Sequence, residues 1–125
     1  MSVFYSVLTA ILLSFSPSNV PYSSIGNGFE SNDSKTIVSL CKEKVFINVL
    51  GDQAIYSKSQ ASLILKSFFT KNPCSKFEFI FKGKETSEGV SSIATYTSKK
   101  EIFRVNLLLK KSSSKYKIES LIIEK

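Results

Sequence analysis

Between residues 58 and 71 the apolar side chains Ala61, Ile64, Leu65, Phe68 and Phe69 recur at steps of three and four, while Lys58, Ser59, Ser62, Lys66 and Ser67 fill the positions between them. That is the period of a helix with one buried stripe. Ser57 and Gln60 have the spacing of a capping box: the serine hydroxyl accepts from the Gln60 backbone N–H, and the glutamine amide reaches back to the Ser57 backbone. The helix therefore starts at Lys58. It stops before Asn72-Pro73, because a residue preceding proline avoids the α region.

The period changes to two after that proline. In "KFEFIFKGKE" Phe77, Phe79 and Phe81 share one face against Glu78, Ile80 and Lys82, as in a half-buried strand. "GVSSIATYTS" follows, with alternation too weak to settle which face Tyr96 takes. "EIFRVNLLLK" points Phe103, Val105, Leu107 and Leu109 inward and Arg104, Asn106 and Lys110 outward, and "KYKIESLIIEK" ends the chain. Turn-rich pieces of hairpin length join these four segments, so the pattern predicts an antiparallel meander.

Upstream, "KVFINVL" and "AIYS" read as a hairpin around a "GDQ" turn at Gly51 to Gln53. Before it stand two short helical pieces, Ser23 to about Glu30 and Ser34 to about Lys42, with Asn32 and Asp33 between them as turn and capping residues. Gly26 and Gly28 weaken the first. The element order predicts an α+β domain in which the long helix lies across the aromatic face of the meander, since a lone helix cannot bury five apolar residues.

Charge divides the chain of 125 residues into two parts. All 17 Lys and Arg and all 10 Asp and Glu lie from Glu30 onward. The uncharged start contains the apolar run Val3 to Phe15, closed by Pro17 and Pro21, which is too short to span a bilayer and of the length of a signal-peptide core. Residues 1–22 are expected to be an export signal and residues 23–125 a single domain, periplasmic or extracellular, that meets the membrane only during export. The net charge of +7 is dispersed, with Lys99-Lys100 and Lys110-Lys111 at strand ends. Such dispersion favours a solvated rim over a nucleic-acid surface, which would interleave a basic stripe with aromatic platforms. Cys41 and Cys74 could pair in an oxidising compartment, but two are too few for a disulfide framework, and they are read as two small buried or half-buried thiols.

The ordered blocks "IYSKSQASLILKSFFTKNP", "FKGK", "FRVNLLLKK" and "KYKIESLIIEK" closely resemble the DUF4783 family, a domain-of-unknown-function family of small exported Bacteroidetes proteins. The resemblance runs from about Ser23 to Lys125. It implies the nuclear-transport-factor-2-like, cystatin-like fold, a cone made by a curved antiparallel sheet around helices. It also implies export, and it carries no activity, because this superfamily includes enzymes as well as plain binding modules.

The chain has no histidine, which removes the commonest general base, the commonest metal ligand and every Ser-His or Cys-His nucleophile. An isomerase or dehydratase of the ketosteroid-isomerase kind needs a carboxylate base in a pocket. The only Asp residues, Asp33 and Asp52, stand where turns and caps favour them. Glu78, Glu101, Glu119 and Glu124 read as outer-face partners in cross-strand ion pairs. No catalytic residue, metal ligand or cofactor is expected. Arg104 is either an ion-pair partner of Glu78 or Glu119, or an anion contact.

What remains is a wealth of aromatic groups, 10 Phe and 5 Tyr. Phe68 and Phe69 fit a core by their period, and Tyr56 and Tyr96 fit a pocket wall, where a phenol could bond a ligand. The expected function is a non-enzymatic module binding a small apolar ligand or a protein, with Tyr56, Phe68, Phe69 and Tyr96 lining the site. The alternative is an interaction protein that forms a homodimer through the outer sheet face, where Ile80, Leu108 and part of "IESLIIE" leave apolar groups. A lyase or isomerase is the third reading.

Overall fold

A computed structural model of the chain describes residues 19–99 and 101–125. The expected leader at residues 1–22 therefore falls largely outside the described residues. Helix α1 (Tyr22–Glu30), helix α2 (Ser34–Ser39), strand β1 (Cys41–Val49), strand β2 (Asp52–Ser57), helix α3 (Lys58–Lys71) and strands β3 (Lys76–Lys82), β4 (Val90–Ser98), β5 (Glu101–Ser112) and β6 (Lys115–Glu124) follow in order. The six strands form one sheet, ordered β2-β1-β6-β5-β4-β3, and the helices cover one face. The chain has the expected α+β fold with its cone-like curved sheet. One pairing departs from the antiparallel expectation, since β1 and β6 run parallel. The meander and the β1–β2 hairpin are local pairings legible from short turns, whereas this seam joins segments at opposite ends of the domain.

Helix α3 is capped as its sequence requires. Ser57 Oγ accepts from the Gln60 N–H at 3.3 Å, and Gln60 Oε1 accepts from the Ser57 N–H at 3.1 Å. Ala61, Leu65, Phe68 and Phe69 are buried and Ile64 is half-buried. Ser57→Ala is expected to lower stability by about 1 kcal/mol in urea denaturation, because the Gln60 N–H loses its acceptor.

Several boundaries shift from the sequence reading. Helix α2 stops at Ser39, not Lys42, and Cys41 already pairs with Ile118; the ladder competes for these residues and wins. The hairpin turn is Leu50-Gly51, both at positive φ (53° and 96°), between the paired residues Val49 and Asp52. Such a two-residue turn has the twist that a hairpin needs, and it puts Asp52 and Gln53 inside β2.

In β3, Phe77 pairs with Tyr96 and Phe79 with Ala94, but the register slips before the Phe81–Ile93 pair. The extra residue, Ile80, forms a bulge that turns Phe81 outward. Phe77 is buried, whereas Ile80 and Phe81 are 56% and 52% exposed, so Phe81 does not join the face of Phe77 and Phe79. Helix α1 forms despite its glycines. A Cβ on Gly28 would lie 2.7 Å from Ile37 Cδ1, so the missing side chain is what lets α1 close on α2.

Candidate functional site

The inner face of β4 and β5 carries Tyr96 and Phe103, directly paired across the strands. Onto them α3 lowers Phe68, whose ring centroid is 5.3 Å from each, and Phe69, stacked parallel to Tyr96 at 6.3 Å. Phe29 from α1 closes the cluster, stacked on Phe77 at 4.4 Å and edge-on to Phe69 and Tyr96. The face of Tyr96, which alternation left open, is the inner one, and the side chain is buried. Its hydroxyl donates to the Asn72 carbonyl, and burial pushes the phenol above its usual range.

Three of the four expected lining residues, Phe68, Phe69 and Tyr96, thus meet. Tyr56 does not join them; it stands half-buried on edge strand β2, paired with Val45. Phe29 was not foreseen as part of this cluster, although the helix that carries it was read from the chain as a weak one. Among the described residues, two buried hydroxyls lack a protein hydrogen-bond partner, Tyr22 and Ser92. The Tyr22 ring meets Phe79 edge-on at 4.8 Å, and Lys82 Nζ lies 4.7 Å above it.

The outer face has a different character. Arg104 is exposed there, opposite Thr95 on one side and Glu124 on the other. Neither expected ion pair forms: Glu119 holds Lys42 at 3.2 Å and Glu78 holds Lys76 at 3.8 Å. Glu101 takes Lys125 at 2.8 Å, and Glu124 accepts from Asn106 Nδ2. Two registers cross the sheet on this face without a charged side chain. One runs Ile55, Phe46, Ser120, Leu108, Ser91 and the other Gln53, Asn48, Ile122, Asn106, Ile93, Phe81. Ile55, Phe46, Ile122, Leu108, Ile93 and Phe81 make a diagonal apolar belt to which every strand contributes.

The titratable candidates have ordinary structural duties. Asp33 accepts from Thr36 Oγ1 at 2.7 Å and from the Thr36 N–H at 3.1 Å; the side-chain bond foremost holds its carboxyl below the usual range. Asp52 is exposed at the start of β2. Cys41 and Cys74 are buried free thiols, and burial pushes them up to about 12 and about 11. Among the described residues no group of three or more His, Cys, Asp or Glu could hold a metal ion, and no helix is long and apolar enough to cross a membrane.

A sequence profile of the DUF4783 domain of unknown function matches residues 22–124. The chain belongs to this family. A crystal structure of a DUF4783 family protein from Bacteroides ovatus superposes with a TM-score of 0.79 at 28% identity, covering 87% of this chain and 97% of that one. A second, from Bacteroides uniformis, gives 0.78 at 24%, covering 85% and 96%. An NTF2-like protein of unknown function from Shewanella baltica gives 0.65 at 14%, covering 82% and 86%, which shows the fold alone. Among curated proteins none matches the chain. Membership of the DUF4783 family thus brings a fold and no activity.

Proposed function

We propose that this DUF4783 chain is an exported, non-enzymatic binding module whose working surface is the outer face of its sheet, where it takes a second copy of itself. The observation that carries this reading is the uncharged double register with its apolar belt. A chain of net charge +7 repels its own copy, and a strip without charged side chains is where that repulsion opposes a self-contact least. The two registers supply such a strip, with Ile55 and Phe81 left 67% and 52% exposed at its ends. Charged Arg104, Glu124 and Glu78 stand on the flanking strand positions, the arrangement of an apolar interface core with a polar rim.

Export rests on the uncharged apolar run Val3 to Phe15. The non-enzymatic reading is supported by the carboxylates: Asp33 spends its oxygens on Thr36, and Asp52 stands in the open. A small ligand inside the cone is the second reading. The unpartnered hydroxyls of Tyr22 and Ser92 favour it, and the close packing of Phe68, Phe69 and Tyr96 weighs against it.

Sedimentation equilibrium tests the lead reading. The wild type is expected to dimerise as concentration rises. Leu108→Lys, which brings an ammonium into the middle of the strip, is expected to raise the dissociation constant at least tenfold, about 1.4 kcal/mol, while thermal unfolding of the monomer changes little. A strict monomer at the highest soluble concentration would sink the proposal.

A further inference from the structure

Strand β6 is the interior strand between β1 and β5, yet among the described residues its first three have no strand neighbour on the β1 side. In the parallel register Cys41 stands beside Ile118, and the residues before Cys41 belong to the end of α2 instead of extending β1. The last bond along this seam runs from the Ile118 N–H to the Leu40 carbonyl at 2.9 Å. Backbone groups of an antiparallel strand point alternately to its two neighbours. With Ile118 turned toward β1, Lys117 faces β5 and the Tyr116 N–H and C=O face the side that β1 does not cover. A groove of about 620 Å³ lies along that side, lined by Asn19, Val20, Pro21, Ser39, Leu40 and residues 115–117.

The groove joins an apolar floor to a basic rim. Val20 and Tyr116 are buried and Leu40 half-buried, and Lys111 Nζ lies 5.8 Å from the Tyr116 ring centroid. On the outer side of the sheet Lys110 and Lys117 stand directly opposite one another, with Ser112 and Lys115 as the pair after next. Like charges facing across strands destabilise a sheet, and among the described residues no carboxylate pairs with Lys110, Lys115 or Lys117. Lys117 also borders a hollow of about 350 Å³ with Lys42, Glu43, Lys44 and Ser112. In it Lys42 is held by Glu119 at 3.2 Å, while the exposed Glu43 lies 4.0 Å from Lys58.

We propose that this edge receives an extended acidic peptide segment of a partner protein, added beside β6 in the lane that lies past the start of β1. The peptide residue level with Tyr116 exchanges both backbone hydrogen bonds with it and drops an apolar side chain onto the half-buried Pro21 and Leu40. Its two neighbours project to the opposite face, as strand geometry requires, and place carboxylates beside Lys115 and Lys117. Main-chain pairing then gives affinity, and the alternation of acidic and apolar side chains gives specificity.

The probe is an acetylated, amidated hexapeptide of alternating glutamate and valine, followed by amide chemical shifts of the full-length protein and by calorimetry. Shifts are expected at Tyr116, Leu40 and Ile118. The same peptide N-methylated at its central valine, which cannot donate to β6, is expected to bind at least tenfold more weakly to the unaltered protein, and so is a lysine–valine peptide. Lys117→Glu, which also removes the repulsion from Lys110, is expected to fold and to lose at least tenfold in affinity for the glutamate peptide. Equal affinity of the N-methylated peptide, no response at Tyr116, or a response to inorganic phosphate alone would each overturn the proposal. The site is separate from the dimer surface. Leu108→Lys, monomeric or not, should bind the peptide as wild type does, so the two readings fail independently.

Discussion

Phe29→Ala is expected to lower the free energy of unfolding by about 3–5 kcal/mol, the range for truncating a buried phenylalanine whose surroundings cannot collapse into the space. Phe29 is fully buried, and its ring touches three others at once: stacked on Phe77 at 4.4 Å, edge-on to Phe69 at 5.9 Å and edge-on to Tyr96 at 6.2 Å. These neighbours come from α3, β3 and β4, each fixed by its own backbone bonds, so no single element can move inward without breaking another contact. A domain of this kind has about 5–15 kcal/mol in total, so the loss is a large fraction of its stability. Phe29→Leu keeps most of the volume and should lose less, because a volume-conserving swap spares the cavity. Urea denaturation with both variants measures the difference. A loss below about 1 kcal/mol for the alanine variant would contradict the cavity mechanism and mean that α1 is free to shift as a body.

Gly89→Ala is expected to lower stability by about 2 kcal/mol through a local clash. A Cβ at this position would stand 2.5 Å from the Leu109 carbonyl oxygen and 3.3 Å from Lys110 Cδ. The lysine can swing away, but Leu109 is held in β5 by both of its neighbours, where it pairs with Val90 and Ile118. The loop must therefore lift. Lifting strains the bonds of Thr86 to the Gly89 carbonyl, at 3.2 Å from N–H and 2.9 Å from Oγ1, and the bond that Tyr116 Oη donates to the Thr86 carbonyl. Gly51→Ala provides the comparison. Its Cβ would meet nothing within 4 Å, so only its backbone angle resists, and a smaller loss is expected. Thermal unfolding of the two variants side by side decides the matter; equal losses would show that backbone conformation, not the Leu109 contact, is what Gly89 serves.

Features held by short-range rules were legible in the chain. The Ser57–Gln60 cap, the stop at Asn72-Pro73 and the inward set Phe103, Val105, Leu107 and Leu109 follow from neighbours within a few residues, and each is found as read. Helix α1 was the weak point, because intrinsic propensity counts Gly28 as a cost and cannot know that Ile37 needs the space. Of the expected lining residues, Phe68 and Phe69 sat on a visible stripe, whereas the inner face of Tyr96 was decided by its pairing with Phe103. Tyr56 resembled them in composition alone, and the sheet order puts it on the far edge.

The chain by itself determined the elements, the family and the chemistry without histidine, since these depend on residue types and on spacing along one segment. Tertiary structure decided what the surface offers. The bulge at Ile80 turned Phe81 outward, the crossing of six strands assembled single apolar residues into one belt, and the parallel seam between β1 and β6 ended at Ile118, leaving the Tyr116 backbone beside a groove. Each of these arises from register between strands distant in sequence, and register is set by packing of the whole sheet, not by any residue's own preference.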